Sequence, residues 1–257
     1  MRMNRTDGFT LVELAVVLAI VGLMLGGLMY TLSAQTEQRN FEETRRRLEQ
    51  ARELLLSYAI VNGRLPCPAS STSNGYEDAV AGTGACNVPG PYGGWLPART
   101  IGVQQIDTGG YAIDVWGNRI RYAVAVSTTP SASCPTPHFT GIYASTTNGL
   151  KTNGISCQPD DLLVCNSATG ITAANCGGQA NQVMTKNLVV AVIFSTGKNG
   201  ASGSAGIDEA ANLDGDPIFV SHTPAPTSAT NGEFDDQLTW ITVGELYGRL
   251  VSAGVLP

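Results

Sequence analysis

The sequence predicts an α+β chain: a long N-terminal helix packed on an antiparallel β-sheet with large disulfide-bearing loops. Three observations predict it. An apolar run of 24 residues, Phe9 to Leu32, is followed without any proline by a charged, periodic stretch that reaches Asn62. Beyond residue 62 short apolar segments alternate with stretches rich in Gly, Ser, Thr and Pro. All six cysteines lie in that second part.

The apolar run carries a single charge, Glu13. As a helix it would span roughly 36 Å at about 1.5 Å per residue, enough for a bilayer core of about 30 Å. Arg2 and Arg5 precede it and place the N-terminus in the cytoplasm by the positive-inside rule. The rest of the chain is then exported. A cleaved secretory signal has an apolar region of about 7 to 15 residues, so this run is too long for one. In a plain anchor, Glu13 would cost about 2.5 to 3.5 kcal/mol at mid-bilayer. Gly22 and Gly26 have the spacing that lets helices approach closely, though glycine is also ordinary in membrane helices.

Past the membrane the helical period continues. Phe41, Leu48, Ala51, Leu55, Tyr58 and Ala59 form one stripe. Glu42, Glu43, Arg45, Arg46, Arg47, Glu49, Arg52 and Glu53 occupy the other faces, with Glu42–Arg46 and Glu43–Arg47 in favourable i,i+4 order. The arginine run thus reads as a salt-bridged, solvated face. Asn62-Gly63 followed by Pro66 ends the helix.

The 257 residues carry a formal net charge of −6, and residues 1–53 are neutral, with seven basic and seven acidic groups. The excess acid therefore lies C-terminally, and no specific nucleic-acid partner is evident, although a basic patch can still form in three dimensions. Cys67, Cys86, Cys134, Cys157, Cys165 and Cys176 show no C-x-x-C spacing, and His138 and His222 are the only histidines. An even count in loops suits an oxidising compartment and up to three bridges, one expected between Cys67 and Cys86; the full pairing is not readable, since six cysteines allow fifteen.

Four strands and a terminal helix are legible in the globular part. Arg119 to Ser127 alternates, with Ile120, Tyr122, Val124 and Val126 facing inward, after a turn at Gly117-Asn118. Leu188 to Ser195 is a continuous apolar run and reads as a central strand, ending in Thr196-Gly197-Lys198-Asn199-Gly200. Shorter strands are expected at Ile218–Val220 and Leu238–Val243. Thr242 and Glu245 have capping-box spacing and open a helix that runs to Gly254.

Thr6-Asp7-Gly8 followed by Phe9-Thr10-Leu11-Val12-Glu13 resembles the prepilin cleavage and methylation motif of type IV pilins and type II secretion pseudopilins. The resemblance implies cleavage after Gly8 by a prepilin peptidase, N-methylation of Phe9, and a role for Glu13 in assembly. A carboxylate in lipid is tolerable beside a cation. The freed amino group of a neighbouring subunit's Phe9 would supply one, setting axial register. The long helix resembles the pilin α1 helix. Asp114-Val115-Trp116-Gly117-Asn118 and the Ser195-to-Gly200 turn resemble pseudopilin and minor-pilin domains.

The organisation expected is a leader at 1–8, a transmembrane assembly helix at 9–32, its amphipathic continuation at 33–62 and an extracytoplasmic domain at 63–257. Expected partners are other pilin or pseudopilin subunits, the prepilin peptidase/methylase and inner-membrane lipid. The N-terminus would be cytoplasmic and the domain periplasmic before incorporation into a filament at the cell surface. The chain's size, extra cysteines and long inserts favour a minor pilin or pseudopilin; the competing readings are a pilus-tip or surface binding module for adhesion or DNA uptake, and a membrane-anchored periplasmic domain unrelated to filaments.

No G-x-S-x-G, H-E-x-x-H or phosphate-binding glycine loop is present, and no enzyme is expected. No cofactor is required. Calcium is weighed at Asp214, Asp216, Asp235 and Asp236, because Asn212-Leu213-Asp214-Gly215-Asp216 sets oxygen ligands around a glycine and some pseudopilins carry calcium in the corresponding loop. Solvated acids in Asx turns are the competing reading.

Overall fold

The computed structural model describes residues 10–87, 90–126, 138–140, 149–172, 175–203 and 206–256, except the side chains at 25, 27–34, 152 and 202. Gly8, Phe9 and Cys134 lie outside the described residues, as do Arg2 and Arg5. The chain divides into two compact units, Met1–Glu43 and Thr44–Pro257.

Helix α1 runs over Leu11–Asn62, 52 residues without a proline, and its backbone stays helical through Gly22, Gly26 and Gly27. In the first unit its large apolar side chains stand exposed, from Leu11 (87%) and Val12 (72%) to Leu23 (79%) and Met24 (65%). A Cβ added at Gly22 or Gly26 would meet nothing within 4 Å. Among the described residues no helix is long and apolar enough to cross a membrane; the span expected at 9–32 falls only partly within them.

In the second unit α1 buries the expected stripe. Leu48, Ala51, Leu55 and Ala59 are core residues, joined by Leu56 and by Thr44, while Tyr58 is half-buried. Each buried leucine contributes roughly 1.5–3 kcal/mol. The helix stops where expected: Gly63 takes φ +65° and its N–H reaches the carbonyl of Ala59 at 2.7 Å.

This part of the helix lies against an antiparallel sheet of order β1-β2-β5-β7, formed by Gly94–Trp95, Arg121–Val124, Val189–Ser195 and Gln237–Thr242. Strand β5 is buried along its whole length, as its unbroken apolar sequence requires. Strand β2 is shorter than expected, and its alternation is not one of inside and outside. Ala123 and Ala125 are as buried as Tyr122 and Val124, in a core that also takes Phe139, Leu150 and Leu162 from the loops. The short helix α2 (Ala98–Ile101) follows β1.

A second sheet, not expected from the sequence, has the order β4-β3-β6 and comprises Gln182–Met184, Leu163–Cys165 and Ile218–Val220, with β3 and β6 parallel. Ile218–Val220 is the strand predicted, but it belongs to this smaller sheet. Short helices α3 (Leu150–Asn153) and α4 (Ile207–Ala211) sit in the connections.

Helix α5, Val243–Ser252, closes the chain. Thr242 caps it through Oγ1, which accepts from the Glu245 N–H at 3.2 Å. The reciprocal half of the expected capping box gives way to an ion pair, because the Glu245 carboxylate accepts from Arg52. Arg52 also donates to the Trp240 carbonyl at 3.0 Å, and Arg47 donates to the carbonyls of Ile113 and Asp114 at 3.0 and 2.9 Å. These two arginines therefore tie α1 to the sheet and its loops, where a solvated face was expected. Disulfides join Cys67 to Cys86, as expected, and Cys165 to Cys176. Cys157 is also disulfide-bonded.

Candidate functional site

Two regions bear on function: the start of α1, and a cluster of loops at the end of β5.

At the helix start Thr10 and Glu13 form a reciprocal capping box. The Thr10 hydroxyl oxygen accepts from the Glu13 N–H at 3.2 Å. The Glu13 carboxylate accepts from the Thr10 N–H at 3.1 Å and the Thr10 hydroxyl at 3.0 Å. Two N–H groups that the first turn leaves without helical partners are thereby satisfied. A negative group here also complements the helix dipole. This arrangement holds Glu13, an isolated acid in an apolar run, at the first turn of α1. The spacing Thr-x-x-Glu is visible in the sequence, and its capping role was not read there.

At the other region the two turn motifs noted in the sequence meet. Ser195, the last residue of β5, donates through Oγ to Asp114 Oδ2 at 2.6 Å. The other oxygen of Asp114 accepts from the N–H groups of Trp116 and Asn118 at 2.9 and 2.8 Å. Asn118 in turn donates to the Gly197 carbonyl at 2.6 Å. Gly197 has φ +62°, and a Cβ there would lie 1.8 Å from Asp235 Oδ1, so only glycine fits.

Asp235 accepts from the N–H groups of Lys198 and Asn199 through Oδ2, at 3.0 and 3.2 Å. Asn199 donates to Glu209 on α4 at 3.0 Å, and the Asp235 N–H donates to Glu209 Oε1 at 2.9 Å. Asn212 donates to Asp236 Oδ2 at 2.7 Å. Glu209, Asp235 and Asp236 are all buried, and one carboxylate oxygen of each lies within 4.8 Å of the others. Burial, with the charge of Glu209 added, pushes the Asp235 carboxyl up to about 6. Burial pushes Asp236 up to about 8, against the Asn212 hydrogen bond and with the charges of Glu209 and Asp235.

Of the four acids weighed for calcium, the structure thus joins Asp235 and Asp236 with Glu209, which the sequence reading missed. Asp214 and Asp216 sit in Asx turns: Asp214 Oδ1 accepts from the Asp216 N–H at 3.0 Å and Asp216 Oδ1 from the Ile218 N–H at 2.7 Å. The three-carboxylate set suits a hard cation, which takes oxygen ligands. Asp235 Oδ1 also fits one, since it is buried with no hydrogen-bond partner among the described residues.

Among known proteins, the family model described as the prokaryotic N-terminal methylation motif matches residues 3–29. No curated protein and no solved structure matches the chain. The matched segment contains Gly8, Phe9 and the Thr10–Glu13 box, and it supports the resemblance to type IV pilins and pseudopilins.

Proposed function

We propose that this protein is a structural subunit, of the minor class, of a type IV pilus or a type II secretion pseudopilus. In this reading prepilin peptidase cuts after Gly8 and Phe9 is N-methylated. The apolar half of α1 anchors the chain in the inner membrane, with the disulfide-bearing domain on the periplasmic side, and then enters the filament core. The observation that carries the reading is the methylation motif at residues 3–29, with Glu13 fixed at the helix start. The exposed apolar surface from Leu11 to Met24 supports it, since such surface requires lipid or neighbouring helices. Glu13 would pair with the amino group of the next subunit's Phe9, exchanging an intrachain cap for an intersubunit ion pair. The role is architectural, not catalytic.

The same reading gives the loop cluster a supporting part. Glu209, Asp235 and Asp236 would hold calcium, which would lock the loop after β5 to α4 and β7 without entering any reaction. Testing the central reading requires Glu13→Ala in cells that make the filament. The variant should reach the membrane and fail to enter filaments; incorporation at the level of the unsubstituted chain would overturn the reading.

A further inference from the structure

Strand β7 is an outer strand of the larger sheet, and the ladder pattern fixes which of its backbone groups point outward. The Ala125 N–H donates to the Val190 carbonyl at 2.9 Å, so Val190, Val192 and Phe194 turn their ladder groups toward β2. Ala191, Ile193 and Ser195 therefore face β7, where they oppose Ile241, Thr239 and Gln237. Leu238 and Trp240, opposite Phe194 and Val192, turn their N–H and C=O groups away from the sheet. Arg52 agrees with this assignment, since its Nε reaches the Trp240 carbonyl from outside the ladder at 3.0 Å. The N–H and C=O of Leu238 and the N–H of Trp240 have no partner among the described residues.

Two other edges are closed. Beyond β1, Ala69 exchanges both ladder bonds with Trp95, at 2.8 and 3.0 Å. In the smaller sheet the Asn212 side chain accepts from the Val220 N–H at 2.7 Å and donates to its carbonyl at 3.1 Å. Beside Leu238 there is space instead. Cavities of about 330 and 230 Å³ lie between α1 and β7 and share Glu49, Leu238 and Thr239 in their walls. Arg45 lines the end nearer the start of β7, with no ion pair or hydrogen bond among the described residues. Glu49 is already engaged, accepting from Arg52 and from Thr239 at 3.3 Å each.

Unpaired ladder groups beside an open slot suit a second extended backbone, which offers donors and acceptors at the matching spacing. We propose that β7 is a docking edge that takes an extended peptide segment of another protein as an added strand, with an acidic side chain at the Arg45 end. The proposal goes beyond the filament role above and does not depend on leader processing. Leu238 exchanges two ladder bonds with the added strand and Trp240 donates a third. The acid of the peptide meets the uncompensated guanidinium of Arg45.

The test uses the full disulfide-bonded chain in detergent micelles and a labelled, end-blocked peptide of alternating threonine and valine with an aspartate at each end. In the free chain the amides of Leu238 and Trp240 should exchange with solvent faster than that of Thr239, and the peptide should slow both. By fluorescence anisotropy Leu238→Pro, which removes an outward N–H that an edge strand can lose, should weaken binding about tenfold, as one hydrogen bond allows. The same peptide with every backbone amide N-methylated should not bind the unsubstituted chain. Arg45→Glu should weaken binding of the aspartate peptide and not of its asparagine counterpart. The proposal is overturned by no binding, by equal binding of the N-methylated peptide, or by Leu238 and Trp240 amides already as protected as Thr239 in the free chain. Unaltered binding in Arg45→Glu would overturn the acidic preference. Protection of the same two amides that grows with protein concentration, without peptide, would overturn it in favour of pairing between two copies of this chain.

Discussion

Thr10 and Glu13 cap each other across the first turn of α1, the hydroxyl oxygen taking the Glu13 N–H and the carboxylate taking the Thr10 N–H. An acid that would be costly in an apolar helix is thereby held at the helix end, where the free N–H groups and the dipole favour negative charge.

Thr10→Ala should therefore weaken assembly without removing the acid. Loss of such a cap costs about 0.5–2 kcal/mol of helix stability. Hydrogen exchange of the first α1 amides should quicken, and filament incorporation should fall less than in Glu13→Ala. Unchanged exchange in Thr10→Ala would show that the box does not hold the helix start.

Two buried groups should shift stability with pH in opposite directions. Burial pushes the His138 imidazole down to about 4; Nε2 faces the Tyr247 hydroxyl at 3.2 Å, and Nδ1 is buried without a partner among the described residues. A folded value below the ordinary 6.5 gives stability that is present above pH 6.5 and lost as pH falls toward 4. Asp236 has the opposite sign. Its folded value, about 8 against an ordinary 3.8, gives stability that is full below pH 3.8 and is lost as pH rises through 8. Above pH 6.5 the His138 contribution is complete, so urea unfolding should show stability falling between pH 6.5 and 8, and Asp236→Asn should flatten that fall. An unaltered fall over that window in the variant would remove Asp236 as its cause.

Calcium should act on that same acid. Binding at Glu209, Asp235 and Asp236 requires the carboxylates ionised, so addition of calcium near pH 7 should release protons and raise the melting temperature. At a hundredfold excess over Kd the gain is about 2.7 kcal/mol. The double variant Glu209→Gln, Asp235→Asn should lose both effects. A full chain whose melting temperature ignores calcium has no such site.

The sequence made the fold legible wherever the signal was long or chemically specific. The α1 stripe, the unbroken run of β5, the Gly63 stop and the Thr242 cap all recur in the structure at or near the residues expected. Three-residue strands are too short to show a period, which is why the parallel pairing of β3 with β6 was hidden. Arg47 and Arg52 looked solvated because nearby acids offered local partners, whereas their acceptors, at Ile113, Asp114, Trp240 and Glu245, lie 66 or more residues away. Glu209 was missed for the same reason: it meets Asp235 only when α4 folds back beside the residues that lead into β7.

Removing the Cys67–Cys86 bridge tests how the loop after α1 is held. The bridge spans 19 residues, for which chain entropy gives about 3 kcal/mol. Cys67→Ala with Cys86→Ala should lower stability by that order in urea unfolding. A loss below about 0.5 kcal/mol would mean that the hydrogen bonds from Arg64 and the Cys67 N–H to Glu77 already hold the loop.

The most direct measurement is intact and N-terminal peptide mass spectrometry of the chain isolated from the membranes of its host. A filament subunit begins at Phe9, with Gly8 and the seven residues before it removed and one methyl group on the Phe9 nitrogen. A chain that keeps Met1, or one processed near Ala34, would contradict the account.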